Sequence, residues 1–128
     1  MSDWNSQKNR AVWFDIPVAD LDRATKFYAE VLGIEVSQED MDGFKFSVLA
    51  HEDGNGGCLI PNQEEITPDK GILLYLNVNG RIQDAVKKAA DYGGKVLQET
   101  HSIGPHGFRA IILDSEGNRV ALHSRDDA

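Results

Sequence analysis

The stretch "HSIGPH" sets His101 and His106 five residues apart, with Gly104 and Pro105 between them. Those two residue types make the stretch a loop, and a bent loop can turn two imidazoles toward one ion. His123 is a third candidate for such a non-standard metal site. Loop histidines in a polar stretch are ordinarily solvated, so the expectation is that no metal sits here. His51, beside Glu52 and Asp53 before a turn, reads as a surface residue. Cys58 is the only cysteine, which excludes an intramolecular disulfide and a multi-cysteine zinc site. No basic side chain adjoins it in sequence, so a reactive thiolate has no visible support. A small buried packing residue is expected instead.

These residues sit in a chain of 128 residues, 41% of them apolar, enough for one domain with a real core. Thirteen basic against 21 acidic residues give a net charge of −8. Such a surface repels phosphate backbones and anionic lipid, so nucleic-acid and membrane partners are disfavoured, and a cationic ligand is favoured. The start "MSDWNSQKNR" has no apolar leader segment, and no run reaches membrane-spanning length, so a cytoplasmic protein is expected.

The elements fall into two similar halves. "VWFDIPV" is an apolar strand ending at Pro17. Asp20 is a helix N-cap, Leu21, Ala24, Phe27, Tyr28 and Val31 follow at helical spacing, and Gly33 stops the helix. "IEV", "FKFSVLA", the turn "EDGNGG" and "CLIP" complete a βαβββ unit. After the polar, Pro-containing stretch 62–70, "GILLYLNVNG", a helix through Ile82, Ala85, Val86 and Ala89, "KVLQE", "FRAIILD", "SEGN" and "RVALHS" repeat that order. Val18 matches Val78 and Gly33 matches Gly93. Phe44, Val48 and Leu49 are set against Phe108, Ile112 and Leu113, and Gly54-Asn55 against Gly117-Asn118, with the offset drifting from 60 to 64. A period near half the chain is one supersecondary unit used twice. The expected organisation is a polar tail over 1–10, a first module over 11–61, a linker over 62–70, a second module over 71–124 and a tail over 125–128.

"IPVADLDRATKFYAEVLGIEV" and "LDSEGNRVALHS" resemble the first strand-helix and the last hairpin of the vicinal oxygen chelate superfamily. That superfamily includes glyoxalase I, bleomycin-resistance proteins and extradiol dioxygenases. The resemblance implies an α+β fold: two tandem βαβββ modules forming a curved mixed sheet around a central cavity, helices outside, and a homodimer. It also implies a divalent metal between the modules, held by His, Gln or Glu on the first strand of each module and Glu or His on the last. Counted from Val18 and Val78, the first-strand positions are Trp13 and Leu73. Counted from the Gly-Asn turns, the last-strand positions are Cys58 and Ala121. Tryptophan, leucine and alanine do not ligate divalent ions, and one cysteine does not make a site. No metal and no other cofactor is therefore expected.

Residues two apart on a strand share a face. With Trp13 at a ligand position, Asp15 and Pro17 turn inward, while Phe14, Ile16 and Val18 pack under the helix. Likewise Leu73, Tyr75 and Asn77 turn inward beside Arg119, Ala121 and His123, with Leu74, Leu76, Val120 and Leu122 on the helix side. Arg109 and Ile111 are placed inward as well. The candidate ligand-binding set is Trp13, Asp15, Tyr75, Asn77, Arg109 and His123: aromatic walls with converging polar groups. The expected function is small-molecule binding without a metal, the ligand being cationic or aromatic. The alternative is a metal-free lyase or isomerase in which Asp15 and His123 move a proton.

Overall fold

The computed structural model describes residues 10–128, so the expected N-terminal tail lies, apart from Arg10, outside the described residues. The first module comprises β1 (Asp15–Val18), α1 (Leu21–Leu32), β2 (Val36–Met41), β3 (Phe44–Leu49) and β4 (Cys58–Pro61). A 3-10 turn at Gln63–Glu65 follows within the connecting stretch. The second module comprises β5 (Leu74–Asn77), α2 (Ile82–Asp91), β6 (Lys95–Ser102), β7 (Phe108–Leu113) and β8 (Arg119–Ser124). A second 3-10 turn, Gly104–His106, interrupts the β6–β7 connection. The fold is α+β with two βαβββ modules.

Each module forms its own four-stranded mixed sheet, in the orders β1-β4-β3-β2 and β5-β8-β7-β6. The first strand pairs with the last in parallel and the remaining neighbours are antiparallel. The two sheets do not close on one another. The register aligns the halves more sharply than residue matching does. Asp15 lies opposite Cys58, and Tyr75 opposite Ala121. Val48 lies opposite Cys58, and Ile111 opposite Ala121. Val48 therefore corresponds to Ile111 rather than to Ile112, one residue off the sequence match. The two phenylalanines, Phe44 and Phe108, had pulled that match out of register. A one-residue slip matters in a strand, because it exchanges the two faces.

Asp20 caps α1 as expected. Its backbone is extended and its Oδ1 accepts from the Arg23 amide at 3.1 Å, while Gly33 closes the helix in the left-handed region at φ 65°. The apolar faces of α1 and α2 meet each other and cover both sheets. Phe27, Tyr28, Val31, Ile82, Ala85 and Ala89 join Ile16, Val18 and Leu59 of the first sheet and Leu76, Ile112, Val120 and Leu122 of the second in one core. Burial of each of the larger apolar side chains among them, the valines, leucines, isoleucines and Phe27, contributes about 1.5–3 kcal/mol. The opposite sheet faces are thereby left free for pockets. Residues 125–128 turn back on α2: the Gln83 amide, a first-turn donor, reaches the Ala128 carbonyl at 3.2 Å.

Polar contacts lock the modules together. Arg81, just before α2, donates to the Val31 carbonyl at the end of α1 (2.6 Å) and to Asp84 (2.6 Å). A cation there complements the negative end of the α1 dipole. At the other end of α1 the turn "DSEGN" of the second module takes hold. Buried Asp114 accepts from the Glu116 and Asn118 amides, the Asn118 side chain and the Tyr28 hydroxyl, all within 2.9 Å. Asn118 also donates to the Pro17 carbonyl at 2.7 Å. The motif that carries the family resemblance is thus a structural clasp on the β1–α1 corner.

Candidate functional site

On the face of the second sheet away from the helices, one rung of residues is polar across all four strands. Asn77 lies opposite His123, His123 opposite Arg109, and Arg109 opposite His101. Strand alternation turns every one of them to the same side. The adjoining rung, Tyr75, Ala121 and Ile111, supplies an aromatic wall. Tyr75, Asn77, Arg109 and His123 line a pocket of about 590 Å³ together with Ile103 and His106 from the β6–β7 connection. That volume lies in the range of small-molecule sites.

The polar groups hold one another in place. Arg109 Nη1 donates to the Tyr75 hydroxyl at 2.7 Å, and its Nε and Nη2 both reach His101 Nε2, at 3.3 and 3.2 Å. A guanidinium has no acceptor, so His101 Nε2 must accept and its proton resides on Nδ1. Nδ1 in turn donates to the Glu99 carbonyl, 2.8 Å away. His123 Nε2 contacts the His106 carbonyl at 2.7 Å and therefore donates, which leaves Nδ1 as its acceptor. The His123 ring lies 6.5 Å from that of Tyr75. Asn77 Oδ1 accepts from the Asn79 amide at 2.9 Å, fixing the end of β5.

The equivalent face of the first sheet is different in kind. The rung corresponding to Asn77-His123-Arg109-His101 is Pro17, Ile60, Phe46 and Glu39. Trp13 lines a pocket of about 670 Å³ with Phe46, Val48, His51 and Cys58, its ring edge-on to His51 at 5.7 Å. Asp15 lines a smaller depression with Pro17, Ile60 and Glu65. A further cleft runs between the modules, from Phe14 and His51 to Tyr75 and Asn77. Four of the six sequence candidates thus come together on the second sheet, while Trp13 and Asp15 belong to the first. Asp15 and His123 are engaged separately: Asp15 accepts from Cys58 Sγ at 3.1 Å, and His123 is held by the loop.

Cys58 is buried, and desolvation first, then the adjacent Asp15 carboxylate, pushes its thiol up to about 11. Of the four positions where the superfamily resemblance places metal ligands, Trp13, Leu73 and Ala121 offer no donor for a divalent ion and Cys58 keeps its proton. That donor set does not fit a divalent metal. Among the described residues no three His, Cys, Asp or Glu side chains gather at one point.

Sequence reasoning missed His101 and Ile103 as partners of the site, having weighed the loop only for metal. Alternation along β7 shows that the β6 residue opposite Arg109 shares its face, but not which residue that is, because β6 is irregular between Gln98 and His101.

Residues 10–122 match the sequence profile of the Glyoxalase/Bleomycin resistance protein/Dioxygenase superfamily. The chain belongs to that superfamily. Among relatives, a glyoxylase-like domain-containing protein of Didymella fabae is 30% identical over 119 residues, covering 87% of this chain and 90% of that one. A lactoylglutathione lyase of Oryza sativa subsp. japonica is 29% identical over 127 residues, 86% of this chain but only 42% of the rice protein. Among solved structures, a superfamily enzyme from Burkholderia phytofirmans PsJN superposes with a TM-score of 0.68 at 18% identity, covering 88% and 95% of the two chains. A glyoxalase/bleomycin resistance protein from Albidiferax ferrireducens T118 gives 0.68 at 17%, covering 91% and 100%. At such identities the structures speak to fold alone. No described helix is long and apolar enough to cross a membrane.

Proposed function

We propose that this superfamily member binds a small molecule on the pocket face of its second module, beside the cleft between modules, without the divalent metal usual in the enzymes. The observation that carries this reading is the polar rung Asn77-His123-Arg109 meeting the Tyr75 wall in one pocket of ligand size. A prearranged cluster of donors and acceptors against an apolar wall is how small-molecule sites fix orientation. The non-ligating residues at Trp13, Leu73 and Ala121 support the metal-free part. Met41 and Phe44, 63% and 48% exposed and paired at the end of the β2–β3 hairpin, favour a homodimer that covers them. A thermal-shift screen of small aromatic compounds, run in chelator, tests the proposal. It requires hits whose stabilisation disappears in His123→Ala and Asn77→Ala. Hits that need added metal, or that ignore both substitutions, would sink it.

A second reading, a metal-free lyase or isomerase, is favoured by one observation: His123 lines the pocket and, donating through Nε2 to the His106 carbonyl, keeps Nδ1 as an acceptor. Asp15, bonded to Cys58 on the other sheet, would not be its partner there, so His123 would work alone. Detected turnover unaffected by His123→Ala would reject this.

A further inference from the structure

The chain carries a net charge of −8, which by itself favours a cationic ligand, yet the second-module pocket has the opposite character. Its lining contains no carboxylate. The one permanently charged group is Arg109, and no Asp or Glu lies within ion-pair distance of it among the described residues. Both side chains that hold Arg109 are neutral: the Tyr75 hydroxyl, and His101 accepting through an unprotonated Nε2. They fix the guanidinium without cancelling its charge. With one N–H used on each terminal nitrogen, one remains on each. An arginine positioned by neutral partners and unpaired with any acid, in a protein rich in acids, is arranged to meet oxygens from outside. The same strand face carries Arg119, whose buried Nε has no hydrogen-bond partner among the described residues. The corresponding rung of the first module, with Phe46 in the place of Arg109, lacks the device altogether.

We infer that the ligand of this pocket carries an oxyanion, a carboxylate or a phosphate or phosphonate, bound by Arg109 with its apolar body against Tyr75 and Ile103. This rests on the small-molecule reading above and adds the chemical class of the ligand. Arg109 gives the anion its charge complement, and Asn77 Nδ2, outside the bond that holds Oδ1, is a neutral donor on the same rung.

Three probes of one shape and different charge decide it: benzoate, phenyl phosphate and benzylamine, titrated at fixed ionic strength into the isotope-labelled chain and followed by NMR. The expected result is saturable shifts at Tyr75, Asn77, Arg109 and His123 with benzoate or phenyl phosphate, and none with benzylamine. The stronger of the two anions identifies the oxyanion source. Arg109→Gln should weaken the anion at least tenfold and Arg109→Lys less, while rising chloride should weaken it in the unaltered chain. Saturable shifts from benzylamine alone would overturn the anionic class and leave the small-molecule reading standing. Anion binding indifferent to Arg109→Gln and to chloride would overturn the role of Arg109. Silence from all three probes would overturn the anion site, and the aromatic screen would then judge binding separately.

Discussion

The Glu116 carboxylate of the second module sits at the N-terminus of α1 in the first, where Oε1 accepts from the Ala19 and Asp20 amides at 2.9 and 2.8 Å. Arg23 closes the other side through Nε at 2.7 Å. The side chain is fully buried in this position. An anion at a helix N-terminus meets both unpaired amides and the positive end of the dipole. Ninety-six residues separate Glu116 from Asp20, so this contact joins the modules directly.

Burial alone would raise the Glu116 pKa, but the bonds from Arg23, Asp20, Ser115 and Ala19 outweigh it and hold the group at about 2. A depressed carboxyl pKa contributes stability that is present above the unfolded value near 4.5 and is lost as pH falls toward 2. Taken whole, that shift is worth about 3 kcal/mol; half-exposed Arg23 reduces it to about 1–2 kcal/mol. Glu116→Gln should therefore lower the unfolding free energy by that amount at pH 7. The difference from the unaltered chain should shrink steadily between pH 4.5 and 2 in urea titrations. A difference that stayed constant over this window would contradict the assignment.

Tyr28 is fully buried and donates its hydroxyl to Asp114 at 2.6 Å. Burial, and then the Asp114 charge, raise its pKa well above the ordinary tyrosine value. Tyr28→Phe preserves the packing and removes one of four bonds to a buried carboxylate. The expected cost is about 1–2 kcal/mol, measured as the denaturant midpoint at unchanged slope. An unchanged midpoint would mean that the Asp114 network does not depend on this donor.

Cys58 should resist alkylation in the folded protein. With its thiol raised from 9.0 to about 11, the thiolate population at neutral pH falls about 100-fold, before steric protection is counted. Iodoacetamide labelling followed by mass spectrometry should be slow in buffer and fast in denaturant. Rapid labelling of the native chain would show that Cys58 is not held as described.

Added zinc, nickel or manganese should leave the melting temperature unchanged to within about 1 °C, because binding only to the folded state would raise it. Stoichiometric metal carried through purification, with a higher melting temperature, would reverse the reading of Trp13, Leu73, Cys58 and Ala121.

Much of this molecule was legible in its sequence because the signals were local. Asp20 and Gly33 delimit α1 through chemistry within one turn, and the apolar alternation at Leu74, Leu76, Val120 and Leu122 assigned the helix side of the second sheet. What was not legible depended on register. β6 is irregular between Gln98 and His101, so counting along the strand does not show that His101 lies opposite Arg109. The slip of one residue in matching β3 to β7 has the same origin. Glu116 read as a turn residue, since its partners are first-module residues brought to it only by the packing of two modules.

The most direct measurement is an amide and side-chain NMR map of the best small-molecule binder, recorded in chelator on the intact chain. Saturable shifts concentrated at Tyr75, Asn77, Arg109 and His123 are the predicted result. Shifts confined to Trp13, Phe46 and Cys58 on the first sheet, or binding that vanishes in chelator, would contradict it.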